Sequence, residues 1–167
     1  MAHLPNVFSA GITSGLIAGA AGTTALNLVS YVRQTVQATP SSATPDQAAE
    51  SVVRAVGAEV PGTPDERQNR LEGLGPLAGL GVGLGVGALA GGLRATTLKV
   101  PFPAAVAAVG LGAMAISDTV MAVLGISSPR TWTPASVAQD AAPHLTYGAV
   151  TILALHRMLD PHTVQVR

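Results

Sequence analysis

The run Gly73–Leu93 reads GLGPLAGLGVGLGVGALAGGL and carries no charge. A helix needs about 20 apolar residues to cross the hydrocarbon core of a bilayer. Within the run, Gly75, Gly79, Gly83, Gly87 and Gly91 recur at every fourth position. Gly81 and Gly85 form a second row. A spacing of four places each row along one helix face. Lipid tails are as apolar as leucine, so membrane helices associate by close packing, and small residues let backbones approach. The run therefore predicts a membrane helix with a close-packing face.

Composition extends this reading to the whole chain. It has 167 residues, of which 11% are charged; a soluble domain carries about 25%. Apolar residues make up 48%, and mean hydropathy is +0.43. Nine basic and nine acidic side chains cannot cover a water-soluble globule of this size, and they cluster. An ordinary soluble domain is excluded. Net charge is zero, so there is no electrostatic footprint for nucleic acid. Without cysteine there is no thiolate metal site, disulfide framework or cysteine nucleophile.

Three further spans follow. Leu4 to Val32 is uncharged and bracketed by Phe8 and Tyr31, which a helical rise of 1.5 Å would set about 34 Å apart. The residues before Phe8 lack Lys and Arg, and the apolar run is too long for a typical signal peptide. Val100 to Gly125 gives another span, interrupted only by Asp118. Thr133-Pro134 reads as a cap followed by proline at the first helical position, opening a last helix that Arg157 closes. The expected fold is all-α: a bundle of four transmembrane helices at about 8–32, 74–93, 103–125 and 135–158 in a single membrane domain.

Residues 33–72 form the polar loop of this scheme. Thr44-Pro45-Asp46-Gln47 predicts a capping box, with Thr44 as the cap. Ala48, Ala49, Val52, Val53 and Val56 share one face, and Gly57 ends the helix. Thr63-Pro64-Asp65-Glu66 repeats the capping signal and leads a second helix through Arg67 and Arg70 into the membrane at Gly73. The short amphipathic helix either covers the bundle mouth, lies on the headgroups or docks a partner. Four spans put both termini on one side, with Arg94, Lys99, Arg157 and Arg167. Arg33, Arg54, Arg67, Arg70 and Arg130 fall on the other side. The positive-inside balance is nearly tied. Both termini are expected in the cytoplasm.

Gly11, Gly15, Gly19 and Gly22 give the first helix a groove like that of Gly75–Gly91. Tight contact between these two helices is the expectation, with an oligomeric interface or a pore lined by the glycines as the alternatives. Gly85 to Ala90 fits the dinucleotide pattern G-x-G-x-x-A, but a preceding strand and a helix N-terminus are missing. Ser14 is misplaced for a nucleophile elbow. No Walker motif or H-E-x-x-H occurs.

Polar residues at membrane depth carry the remaining chemistry. Asp118 lies between Ile116 and Val120. A charge there is expensive and faces a bundle interior or marks a pathway. Asp140 and His144 stand four apart on one helix face, which Gly148 and Thr151 continue. Asp118, Asp140 and His144 are therefore a candidate intramembrane cluster, either structural or proton-linked. A metal is not expected, since a stable site needs three or four ligands. His156 and His162 read as solvated residues at the membrane edge and tail. Asn27, Thr23 and Thr24 are read as interhelical hydrogen-bond partners, and Trp132 as an interfacial anchor.

Gly125-Ile126, Pro129, Trp132, Asp140 and Pro143-His144-Leu145-Thr146-Tyr147-Gly148 occur in an order that resembles the C-terminal half of the YagU-like family of small bacterial inner-membrane proteins. Gly15-Leu16-Ile17-Ala18-Gly19 is similar to that family's first membrane helix. Residues 33–99 depart from the family pattern. The resemblance implies an inner-membrane helical bundle of undefined role, without assigned catalytic residues.

Two functions follow as expectations. The first is a non-enzymatic packing or assembly protein without cofactor, acting as a homo-oligomer or as a subunit beside a membrane-protein partner in the lipid bilayer. Its helix-packing residues would be Gly11, Gly15, Gly19, Gly75, Gly79, Gly83, Gly87 and Gly91. The second is a small proton-linked transporter or channel using Asp118 with Asp140 and His144. An intramembrane enzyme would need a nucleophile or metal that the sequence does not display.

Overall fold

The computed structural model describes residues 4–40, 42–96 and 100–159. Lys99 and Arg167, assigned to one side by sequence, and His162, read as a solvated tail residue, lie outside these residues. The described chain is all-helical, with α1 (Leu4–Gln37), α2 (Thr44–Ala55), α3 (Pro64–Arg94), α4 (Phe102–Val123) and α5 (Pro134–Leu159). A single 3-10 turn, Pro129–Thr131, precedes α5. Three helices are long and apolar enough to cross a membrane: α1 from Val7, α3 and α4.

Local chemistry sets the helix ends. Thr63 caps α3 with a complete box. Its hydroxyl accepts from Glu66 N at 3.4 Å, and its own N–H donates to Glu66 Oε2 at 2.9 Å. Thr133 does the same for α5 with Ser136 as the reciprocal partner. The box expected at Thr44 is absent. Ala43 is the cap of α2, and the Thr44 N–H instead donates to Ser42 Oγ at 3.2 Å. Thr44 is thus already helical, and proline at the next position needs no donor partner.

Gly57 closes α2 with φ of 76°. The Ala58 and Gly57 N–H groups reach back to the carbonyls of Val53 and Arg54, the paired bonds of a Schellman motif. Gly125 ends α4 in the same way, with φ of 72°. α1 ends likewise at Ala38, with φ of 50° and a Thr39 N–H bond to Gln34 O of 3.2 Å. An alanine stands there where glycine is usual.

The segment 33–72 is therefore mostly helical. α1 continues to Gln37, and α3 begins at Pro64. α2 rests on the first turns of α3. Ala49, Val60 and Leu71 form a small buried cluster there, with Val53 beside it. Glu50 pairs with Arg54 at 2.7 Å and also with Arg67. This cluster gains from exclusion of water, at about 1.5–3 kcal/mol for a buried leucine such as Leu71.

The long helices alternate in direction. Gly11 faces Gly91, and Gly19 faces Gly83, so α1 and α3 are antiparallel. Ala18 meets Thr151, and Arg33 meets Gln139, so α1 and α5 are antiparallel too. Gly148 meets Val106 and Gly110 meets His144, which sets α4 against α5. The lateral order is α3, α1, α5, α4, with only light contact between α3 and α4. Ala18, Ile152 and Leu155 form the buried centre, flanked by Val106 and Val109. Outward positions are apolar: Ile17, Leu28, Leu77, Leu89 and Val123 all stand exposed. Water would penalise such a surface, whereas lipid would not.

Candidate functional site

The α1–α3 seam is built from backbone. A methyl group at Gly11 would lie 2.6 Å from Gly91 O, and one at Gly15 would lie 2.8 Å from Ala88 Cα. One at Gly87 would lie 2.6 Å from Gly19 Cα, and one at Gly91 would lie 2.8 Å from Gly15 Cα. No carbon approaches that closely without displacing a helix. Six of the glycines singled out by spacing thus meet one another: Gly11, Gly15 and Gly19 against Gly83, Gly87 and Gly91.

Gly75 and Gly79 do not join them. Gly75 lies under Pro45, whose Cβ would be 2.8 Å from an added methyl, and Gly79 has open space. The seam stops because the next small position on α1 is Thr23. Its hydroxyl occupies the room beside Gly83 and donates to Gly19 O at 2.9 Å. Thr24 likewise donates within its own helix, to Ala20 O at 3.0 Å. These threonines are thus not the interhelical donors that the sequence suggested. The carbonyl four residues back is the nearest acceptor, and a helical threonine reaches it without changing its rotamer class.

Interhelical hydroxyl bonds come from α5 instead. Tyr147 is 1% exposed and donates from α5 to Gly83 O on α3 at 2.6 Å. Thr151 is fully buried and donates to Ala18 O at 3.4 Å. Gly22 makes room for both: a methyl there would sit 2.8 Å from Tyr147 Cδ2. A hydroxyl buried without a partner costs about 1–3 kcal/mol. Sequence reading passed over Tyr147 as a structural residue. Its spacing of four from Thr151 on a glycine-bearing face was the available signal.

A second seam joins α4 and α5. A methyl on Gly110 would lie 2.7 Å from His144 O, and one on Gly148 would lie 2.8 Å from Gly110 N. Gly110 was missed because it belongs to no periodic row. This seam brings Asp118 on α4 within electrostatic range of Asp140 and His144 on α5. His144 Nδ1 lies 2.9 Å from Asp140 O and 3.4 Å from Asp140 Oδ1. The imidazole is mostly shielded and the Asp140 carboxyl is partly open. Among the described residues, no three His, Asp or Glu side chains are grouped to hold a metal.

Asp118 also lines an open groove of about 640 Å³. Leu111, Met114, Ala115 and Thr119 form its α4 wall, and Pro129 and Trp132 contribute from the turn before α5. The indole N–H of Trp132 donates to Ser127 Oγ at 2.8 Å, which fixes the ring at the groove's edge. His156 packs edge-on against Phe102 with ring centroids 5.8 Å apart, at the far end of the helices.

No protein-family model, curated protein or solved structure matches the chain.

Proposed function

We propose that the chain is a small integral membrane protein whose role is helix packing and assembly, as a homo-oligomer or an accessory subunit. In this reading α5 is a fourth span, the protein sits in an inner membrane like the YagU-like proteins it resembles, and both termini face the cytoplasm. It acts without a cofactor and catalyses no reaction. At 1.5 Å per residue the α5 helix is about 39 Å long, sufficient for a bilayer core, and it lies between α1 and α4.

One observation carries the assembly role. The glycines of α3 divide between two faces. Gly83, Gly87 and Gly91 are consumed by α1, while Gly81 and Gly85 stand on the opposite face with open space at both Cβ positions. Exposed Leu77 and Leu89 flank them. A helix offering glycine to lipid gains no packing there, whereas a neighbouring helix could approach closely. The test is the oligomeric state in mild detergent and the set of proteins recovered with the tagged chain. The double substitution Gly81→Leu, Gly85→Leu should reduce assembly and leave the α1–α3 seam folded. Unchanged oligomer size and unchanged partner recovery would count against the reading.

The Asp118–Asp140–His144 grouping favours a second reading, a proton-linked transporter or channel. It expects Asp118→Asn to keep the fold and abolish pH-dependent flux in proteoliposomes. Wild-type liposomes silent to protons and common ions would remove it.

A further inference from the structure

We infer that the groove beside Asp118 binds lipophilic monocations, specifically aromatic or alkyl ammonium compounds with an apolar body. The inference goes beyond the assembly role and holds whether or not the chain oligomerises. Four features define the occupant. First, the walls contributed by Leu111, Met114 and Ala115 are apolar, so a fully hydrated ion gains nothing by entering. Second, the groove holds one carboxylate, that of Asp118. Hard divalent cations require more oxygen ligands than this.

Third, the charge around Asp118 is not balanced. Its charged neighbours are Asp140 and His144 from α5, so two carboxylates face at most one imidazolium. Among the described residues no Lys or Arg reaches it. An intramembrane acid ordinarily finds a partner, and a cationic ligand would supply one. Fourth, the indole of Trp132 borders the same groove. Tryptophan is the best side-chain partner for an organic cation, through attraction to its ring face. Carboxylate, indole and apolar wall together match an ammonium centre attached to a hydrocarbon or aryl group.

The groove's position suits such a ligand. Asp118 stands five residues before the end of α4, about 7.5 Å of helix. That depth lies near a bilayer interface, where an amphiphilic cation concentrates.

Trp132 is the chain's single tryptophan, so its emission reports on the groove directly. The test titrates the full-length protein, in dodecyl maltoside at mildly alkaline pH, with benzyltrimethylammonium. The neutral isostere neopentylbenzene is run in parallel. A saturable emission change with the cation and none with the isostere is expected. Asp118→Asn should weaken binding about tenfold or more, a loss of about 1.4 kcal/mol, and Asp118→Glu should largely retain it. Ala115 is exposed, so Ala115→Phe should fill the groove and block binding without disturbing the helix seams. An absent or non-saturable response in the wild type overturns the proposal, as does an equal response to the isostere. Wild-type affinity in folded Asp118→Asn or Ala115→Phe would overturn it as well.

Discussion

Arg33 on α1 donates to the backbone carbonyl of Gln139 on α5 at 2.9 Å. That carbonyl is the one whose helical donor is missing, because Pro143 stands four residues later without an N–H. A helix tolerates an internal proline where a neighbour restores the lost bond, and here a neighbouring arginine does so. The two helices are thus joined by a defect in one and a donor in the other.

This relationship predicts non-additivity. Arg33→Ala should destabilise the protein by about 0.5–1.5 kcal/mol, since Arg33 is exposed and water competes for the carbonyl. In a Pro143→Ala background the helix regains its own donor, and the cost of Arg33→Ala should fall towards zero. Denaturant midpoints of the four variants give the coupling energy. Equal costs in both backgrounds would break the link.

The α1–α3 seam separates glycines of identical spacing. Gly87→Ala places a methyl against Gly19 Cα and should cost about 1–3 kcal/mol or more through overpacking. Gly79→Ala meets open space and should be neutral or stabilising by up to about 1 kcal/mol, from helix propensity. Resistance to unfolding in sodium dodecyl sulfate distinguishes them. Equal destabilisation by both substitutions would be inconsistent with this packing.

Tyr147→Phe removes the 2.6 Å bond to Gly83 O while keeping the ring. The expected loss is about 0.5–1.5 kcal/mol. Thr151→Val removes a longer bond, 3.4 Å, and should cost less, because hydrogen bonds weaken beyond about 3.2 Å. The order of the two thermal midpoints is the check.

Ala38 holds φ of 50° at the end of α1, a conformation that costs an L-residue about 1–2 kcal/mol. Ala38→Gly should relieve this and raise the unfolding midpoint slightly, less the entropy that glycine adds to the unfolded chain. A lower midpoint would show that the turn is not strained.

Much of this architecture was legible in the residues. The uncharged runs located α1, α3 and α4, because charge is the costliest group to place in lipid. Thr63 and Glu66 located the start of α3, because a capping box has a residue signature. Other features had none. The extent of the glycine seam depends on where α1 stops offering small residues, so the row from Gly75 to Gly91 reads as one stripe yet serves three environments. The partner of Tyr147 is a backbone carbonyl 64 residues away, and every residue has a carbonyl. Gly110 packs against α5 as a single small residue, below the threshold of any periodicity. Thr44 misled because Ser42, two residues earlier, satisfies its backbone.

The hydroxyl bonds of α5 have a consequence in time. α1 and α3 can close their glycine seam as soon as α3 is complete at Arg94. Tyr147 and Thr151 emerge from the ribosome more than fifty residues later. The closing partner of Gly83 and Ala18 is therefore made after both, and it meets a pair already formed. A chain interrupted before α5 would retain that glycine-paired couple but lack its latch.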